Sequence, residues 1–162
     1  MINITEYIYI RADINKVWFY LIDFSKSLSF NRFHTNLELP ANYSLSKMEA
    51  FTITHNFGFG NYKMIAKIID FSPPKYINLS EYCPDDPNTG FPHDIYFNIE
   101  SSLQKSKLTY QLKGTYGGKV KDMSFKPILK GVMKEELIKI KNAIESSESN
   151  QNRLTSKTIH PI

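Results

Sequence analysis

One long amphipathic helix near the C-terminus, with little helical material to pack against, constrains this chain more than any other feature. From Phe125 to Ile144, apolar residues recur as Phe125, Ile128, Leu129, Val132, Met133, Leu137, Ile140 and Ile144. That is the i, i+3, i+4, i+7 spacing of one helical face. A helix of about twenty residues is roughly 30 Å long, and its apolar face must be covered. The only large partner in the preceding sequence is a run of strand-like segments. A curved sheet closed around one helix leaves room for a cavity, so a ligand pocket is the first functional expectation.

The strand signals are alternations of apolar and polar residues. Ile2, Ile4, Ile8 and Ile10 form the first strand. Asp13 then reads as a helix N-cap, followed by Val17, Trp18, Leu21 and Ile22 at helical spacing. Ser25 to Phe33 suggests a second short helix with Leu28, Phe30 and Phe33 inward. His34 to Pro40 alternates poorly. Met48 to Phe57 alternates well, and Gly58-Phe59-Gly60-Asn61 reads as a turn. Tyr62 to Phe71 precedes Pro73-Pro74, which breaks the strand, and Tyr76 to Tyr82 follows. Cys83 to His93, with three prolines, reads as an irregular loop. Ile95, Phe97 and Ile99 mark the sixth strand, and Leu108, Tyr110 and Leu112 mark the seventh. No connection has room for a crossover helix, so the sheet should be antiparallel throughout. Asp122 or Ser124 is the expected cap of the final helix, with Pro127 in its first turn. The expectation is an α+β domain over residues 1–146 and a flexible tail over 147–162, polar in composition.

Composition narrows function mainly by exclusion. The chain has 162 residues, 41% hydrophobic and 22% charged, with a formal net charge of +4. Its positive charge is mostly lysine, dispersed along the chain without an arginine cluster or basic–aromatic interleaving. That excludes a nucleic-acid reader as the leading idea. No apolar run reaches the length of about 18 residues that suggests a membrane span, so no stable membrane insertion is expected. The N-terminus lacks the pattern of a signal peptide. A single cysteine, Cys83, permits no internal disulfide, which fits a reducing cytoplasm. A monomer or weak dimer is expected.

The order of strand, two short helices, six strands and long helix resembles the START-like superfamily, also called SRPBCC or Bet v 1-like, over roughly residues 2–146. Its most family-like segment runs Ile8-Tyr9-Ile10-Arg11-Ala12-Asp13-Ile14-Asn15-Lys16-Val17-Trp18 and on to Asp23. A second is Ile69-Asp70-Phe71-Ser72-Pro73-Pro74-Lys75-Tyr76, and the third is the final helix. These are fold markers and carry no catalytic group. The resemblance implies the helix-grip fold: a seven-stranded curved antiparallel sheet, two short helices and the long C-terminal helix. It also implies a cavity for a hydrophobic molecule. The superfamily includes lipid carriers, quinone-binding proteins, polyketide cyclases, chaperone activators and hormone receptors, so it names no ligand. The Cys83 to His93 loop departs from common members in its length.

On that fold, alternation nominates the cavity walls. From the strands they are Phe51, Ile53, His55, Met64, Ala66 and Ile68, then Ile95, Phe97, Tyr110 and Leu112. From the helix they are Phe125, Leu129, Val132, Met133 and Leu137. The alternative for each is a place in a solid core. His55 is the polar member of this set and the one candidate catalytic residue, as a base or as a hydrogen-bonding anchor. Cys83, His93 and Asp94 lack metal-ligand spacing, so no metal and no cofactor is expected. Gly58-x-Gly60 precedes a strand and is a hairpin turn, since a phosphate loop would lead into a helix. Gly131 stands inside the final helix, where it allows a bend or close approach or is simply tolerated. No nucleophilic triad can be assembled from spacing. The acidic residues are expected in turns and on the helix's outer side, so no paired carboxylates face inward. The leading reading is a binding protein for a lipid, quinone or polyketide-like molecule, oriented by His55 and Tyr110. The alternatives are a cofactor-independent polyketide cyclase or dehydratase, and a partner-regulating module of the chaperone-activator or toxin kind.

Overall fold

The computed structural model describes residues 1–156 except 59, 87 and 104, with side chains to residue 147. Seven strands form one antiparallel sheet in the order β1-β7-β6-β5-β4-β3-β2. β1 (Ile2–Ile10) places Ile2, Ile4 and Ile10 inward. Its end is tied to the sheet by Ser106 Oγ, which donates to the Ala12 carbonyl at 2.8 Å. Asp13 then caps α1 (Ile14–Ile22), its carboxylate accepting from the amides of Asn15 and Lys16. Val17, Trp18 and Leu21 are the buried face of that helix. The second helical stretch is shorter than its sequence suggests. α2 (Phe24–Ser27) gives way to a 3₁₀ turn over Leu28–Phe30, and Phe33 lies beyond both.

β2 (His34–Glu38), β3 (Ala50–Asn56), β4 (Asn61–Ser72) and β5 (Tyr76–Tyr82) follow by antiparallel pairing. Gly58 and Gly60 take φ values of 94° and 120° in the β3–β4 connection, a backbone region open chiefly to glycine. β6 (His93–Ser102) and β7 (Lys105–Gly114) complete the sheet. The connection from Cys83 to Pro92 is irregular, yet Cys83, Phe91 and the first residue of β6, His93, are buried. The loop folds back onto the end of β7.

α3 (Lys119–Ser156) is longer than the apolar repeat indicates and starts before Asp122 and Ser124. Neither residue caps it. Asp122 instead accepts from the Tyr116 amide at 2.7 Å and from Thr115 Oγ1. Pro127 is therefore inside the helix rather than in its first turn. Pro127 lies on an exposed face of the helix, where the hydrogen bond it removes is open to solvent. Leu129, Val132, Met133, Leu137, Ile140 and Ile144 are buried, but Ile128 is 49% exposed and falls off the stripe. Gly131 is exposed, and a Cβ there would meet nothing within 4 Å, so no close approach requires it. The tail expected from residue 147 begins within α3, and residues 157–162 lie outside the described part.

Candidate functional site

The walls nominated on the strands lie on the inner face of the sheet. Phe51, Ile53, Met64, Ala66, Ile68, Ile95, Phe97, Tyr110 and Leu112 are all at most 4% exposed. They share one continuous apolar cluster with Leu129, Met133 and Leu137 of α3. Val132 is buried as well. Phe125 stands apart. It is half-buried and lines an open cleft of about 390 Å³ at one end of the sheet. Phe57, Tyr62 and Tyr116 supply the other aromatic walls, Asn88 to Gly90 the loop side, and Lys121 the helix side.

Aromatic rings connect this cleft to the interior. Phe125 stacks on Tyr116 with centroids 4.2 Å apart, Tyr116 on Phe91 at 4.2 Å, and Phe91 on His93 at 4.7 Å. Phe57 stands edge-on to Tyr116 and stacks against His55 at 5.2 Å. The Tyr116 hydroxyl is buried without a hydrogen-bond partner, and burial pushes its pKa up. It therefore stays protonated at physiological pH and is free to donate to a ligand oxygen.

Behind the rings lies a buried polar cluster. Strand register makes it. His34 of β2 is directly opposite His55 of β3, and Glu81 of β5 is directly opposite His93 of β6. Only β4 separates the two pairs, and the residue it pairs with Glu81 is the small Ala66. His55 Nε2 lies 2.9 Å from Glu81 Oε2, and His93 Nε2 lies 3.5 Å from the same oxygen. The His34 and His55 rings meet edge-on at 4.5 Å. Burial alone would raise the Glu81 pKa, the imidazoles beside it pull it down when they carry a proton, and the net direction is down. Burial, assisted by His55, lowers His34 to about 4. It lowers His93 too, against the pull of Glu81. His34 and His93 are therefore neutral imidazoles beside a carboxylate.

α3 contributes a second buried carboxyl. Glu136 is 1% exposed, and its Oε2 accepts from Asn31 Nδ2 at 3.2 Å. Burial, reinforced by the charge of Glu81, raises its pKa to about 8, so it is a neutral acid at pH 7. Its Oε1 has no partner. The expectation that acidic residues avoid the inner faces is thus corrected at two positions. Both were marked in the sequence. Glu136 is four residues from Val132 and from Ile140 on the buried stripe, and Glu81 continues the alternation of Ile77 and Leu79. At both positions the phase of the element, and not the charge of the side chain, decides the side it faces.

No protein-family model matches this sequence, and no curated protein matches it. Solved structures do. A conserved protein from Geobacillus kaustophilus superposes with a TM-score of 0.68 at 16% identity, over 90% of this chain and 97% of that one. The di-domain ARO/CYC StfQ of the steffimycin biosynthetic pathway gives 0.70 at 10% identity, over 91% of this chain and 52% of its own. Ara h 8.0201 gives 0.60 at 10% identity, over 89% and 97%. This is the helix-grip fold.

Within the helix grip, the cleft lies at one open end and the polar cluster on the inner sheet face behind it. Tyr116 and Phe57 were not among the nominated residues, and Phe91 was expected only with Asp85 and Asp86 in a loop that could cover a cavity mouth. Phe57 ends the alternation of β3, whereas Tyr116 and Phe91 lie in connections where no period applies. No described helix is long and apolar enough to cross a membrane.

Proposed function

We propose that this protein binds a hydrophobic, ring-containing small molecule of the lipid, quinone or polyketide class at the open end of the grip. The observation that carries the reading is the aromatic cleft with the unpartnered Tyr116 hydroxyl in its wall. Apolar burial against Phe57, Tyr62, Tyr116 and Phe125 supplies affinity at about 25 cal/mol per Å², before the costs of binding. The Tyr116 hydroxyl orients a carbonyl or hydroxyl oxygen, and Lys121 at the rim suits an anionic or polar end of the ligand. His55 and Tyr110, expected to orient the ligand directly, lie deeper, with His55 behind the Phe57 ring. The neighbours named for a cyclase and for Ara h 8 are consistent with a ligand-holding role, and the lone buried thiol of Cys83 fits a cytoplasmic setting.

A cyclase-type enzyme is the second reading. Glu136 favours it, as a carboxylic acid kept neutral at pH 7 and able to give a proton.

Native mass spectrometry of freshly purified protein, followed by organic extraction, identifies any retained molecule. A naphthoquinone and a long-chain fatty acid are then titrated against a cleft-bound naphthalene sulfonate dye. Saturable displacement is expected, weakened about tenfold or more by Phe125→Ala. Tyr116→Phe should cost about five- to tenfold for an oxygen-bearing ligand, the worth of one hydrogen bond. Displacement by neither probe, or displacement indifferent to both variants, removes the cleft as the binding site.

A further inference from the structure

His34, His55, His93 and Glu81 come from four different strands and meet on the inner face of the sheet. One donor atom from each of His34, His55 and Glu81 lies within 4.8 Å of the others. His93 Nε2 lies 3.5 Å from the Glu81 oxygen that faces His55, outside that group of three. The His55 and His93 rings stand perpendicular at 6.1 Å. The His34, His55 and Glu81 side chains thus face a common point, with His93 beside it.

The hydrogen bonds around the cluster orient its nitrogens. His34 Nδ1 is 2.7 Å from the Leu28 carbonyl, and His93 Nδ1 is 2.6 Å from the Phe91 carbonyl. A carbonyl only accepts, so both Nδ1 atoms carry the proton and donate. The Nε2 atoms of both rings are then left as lone pairs when the rings are neutral, and His93 Nε2 is directed toward Glu81. This is the arrangement in which histidines are held for a metal, with one ring nitrogen anchored on a carbonyl and the other free to ligate.

The carboxylate lacks the donors it would need without a metal. Glu81 is 1% exposed, and neither of its oxygens has an aligned hydrogen-bond donor. The approach of His55 Nε2 at 2.9 Å is close but is not directed as a hydrogen bond. It matches the separation of about 3 Å between adjacent ligands around an ion with bonds of about 2.0–2.2 Å. A buried carboxyl without an aligned donor is left unsatisfied, and a cation at the common point completes it.

We propose that His34, His55 and Glu81 bind one divalent transition-metal ion of the zinc class, with His93 beside the Glu81 carboxylate as its outer partner. Two imidazole nitrogens and one carboxylate, with a further position open, suit zinc, cobalt, nickel or iron(II). They do not suit magnesium or calcium, which require mostly oxygen ligands. The site goes beyond the proposed ligand cleft and does not depend on it, because its ligands lie behind the Phe57 and Phe91 rings. Cys83 is not part of it.

The test uses tag-free, full-length protein stripped with a chelator. Zinc is titrated by calorimetry and cobalt(II) by visible absorption. Saturation at one equivalent is expected, with the d–d bands of a nitrogen–oxygen site and no sulfur-to-cobalt charge transfer. Magnesium in excess should not compete. Glu81→Gln and His34→Gln should each weaken zinc by more than the roughly 10–100-fold that loss of a supporting partner costs. His34 lies on the partly exposed edge strand, so its variant is the gentler one for folding. If a variant fails to fold, as judged by circular dichroism, the wild-type cobalt spectrum still decides. Absence of saturable zinc and cobalt binding overturns the proposal and leaves an imidazole–carboxylate network. So does a sulfur-ligated spectrum, or zinc binding unchanged in folded variants.

Discussion

Replacing Glu136 by Gln should alter the pH dependence of stability more than it alters the fold. The side chain is 1% exposed on the buried face of α3, and its pKa is about 8 against an ordinary 4.5. Burial is the main cause, the charge of Glu81 adds to it, and Asn31 and Lys139 pull the other way. At 1.36 kcal/mol per pKa unit, holding Glu136 ionised in the folded chain costs about 5 kcal/mol. The sign follows from proton counting. Between the two pKa values the folded chain holds this proton and the unfolded chain has lost it. Stability therefore falls as pH rises from about 4.5 to about 8, then levels off. Glutamine cannot ionise and keeps the shape, so the variant lacks this fall. Urea unfolding of both proteins with chelator present, at intervals from about pH 5 to about pH 9, isolates the residue, because every other titrating group is shared. The variant should gain about 3–4 kcal/mol on the wild type between about pH 5 and about pH 8. A difference that stays flat across this range would refute the placement of Glu136 as a buried neutral acid, and with it the phase of the α3 face.

Two further substitutions probe the backbone around the site. A Cβ on Gly114 would stand 2.6 Å from His93 Cβ and 2.7 Å from the Pro92 carbonyl oxygen. Gly114→Ala should therefore cost about 1–3 kcal/mol in urea unfolding, the range of an overpacked core, and retention of full stability would count against the close packing of β6 on β7. Gly131→Ala should stabilise by about 1 kcal/mol and raise Tm by about 2–4 °C in a thermal scan, since the position is helical, exposed and open. A drop in Tm would mean that something packs against that face of α3.

Local periodicity carried most of the fold. The repeat of Leu129, Val132, Met133, Leu137, Ile140 and Ile144 fixed which face of α3 is covered, and alternation fixed the inner residues of β3, β4, β6 and β7. The absence of crossover helices made the sheet antiparallel, as observed. These features depend on neighbours a few residues apart, so a single sequence contains them. The start of α3 at Lys119 was less legible, because its first turns carry exposed Val120 and Met123 and lie outside the apolar repeat.

The site depends on relations that no local pattern encodes. His34, His55, Glu81 and His93 are scattered through the sequence and separated by turns. They meet because β2 pairs with β3 and β5 with β6 in registers that set His34 against His55 and Glu81 against His93. A shift of one residue in either pairing would turn a ligand to the opposite face. His55 then reaches Glu81 across β4, on which His55 pairs with Tyr62 and Glu81 with Ala66. The sequence by itself determined which residues of the strands and of α3 face inward; register and the packing of the connections, set by contacts distant in the chain, decided which side chains touch.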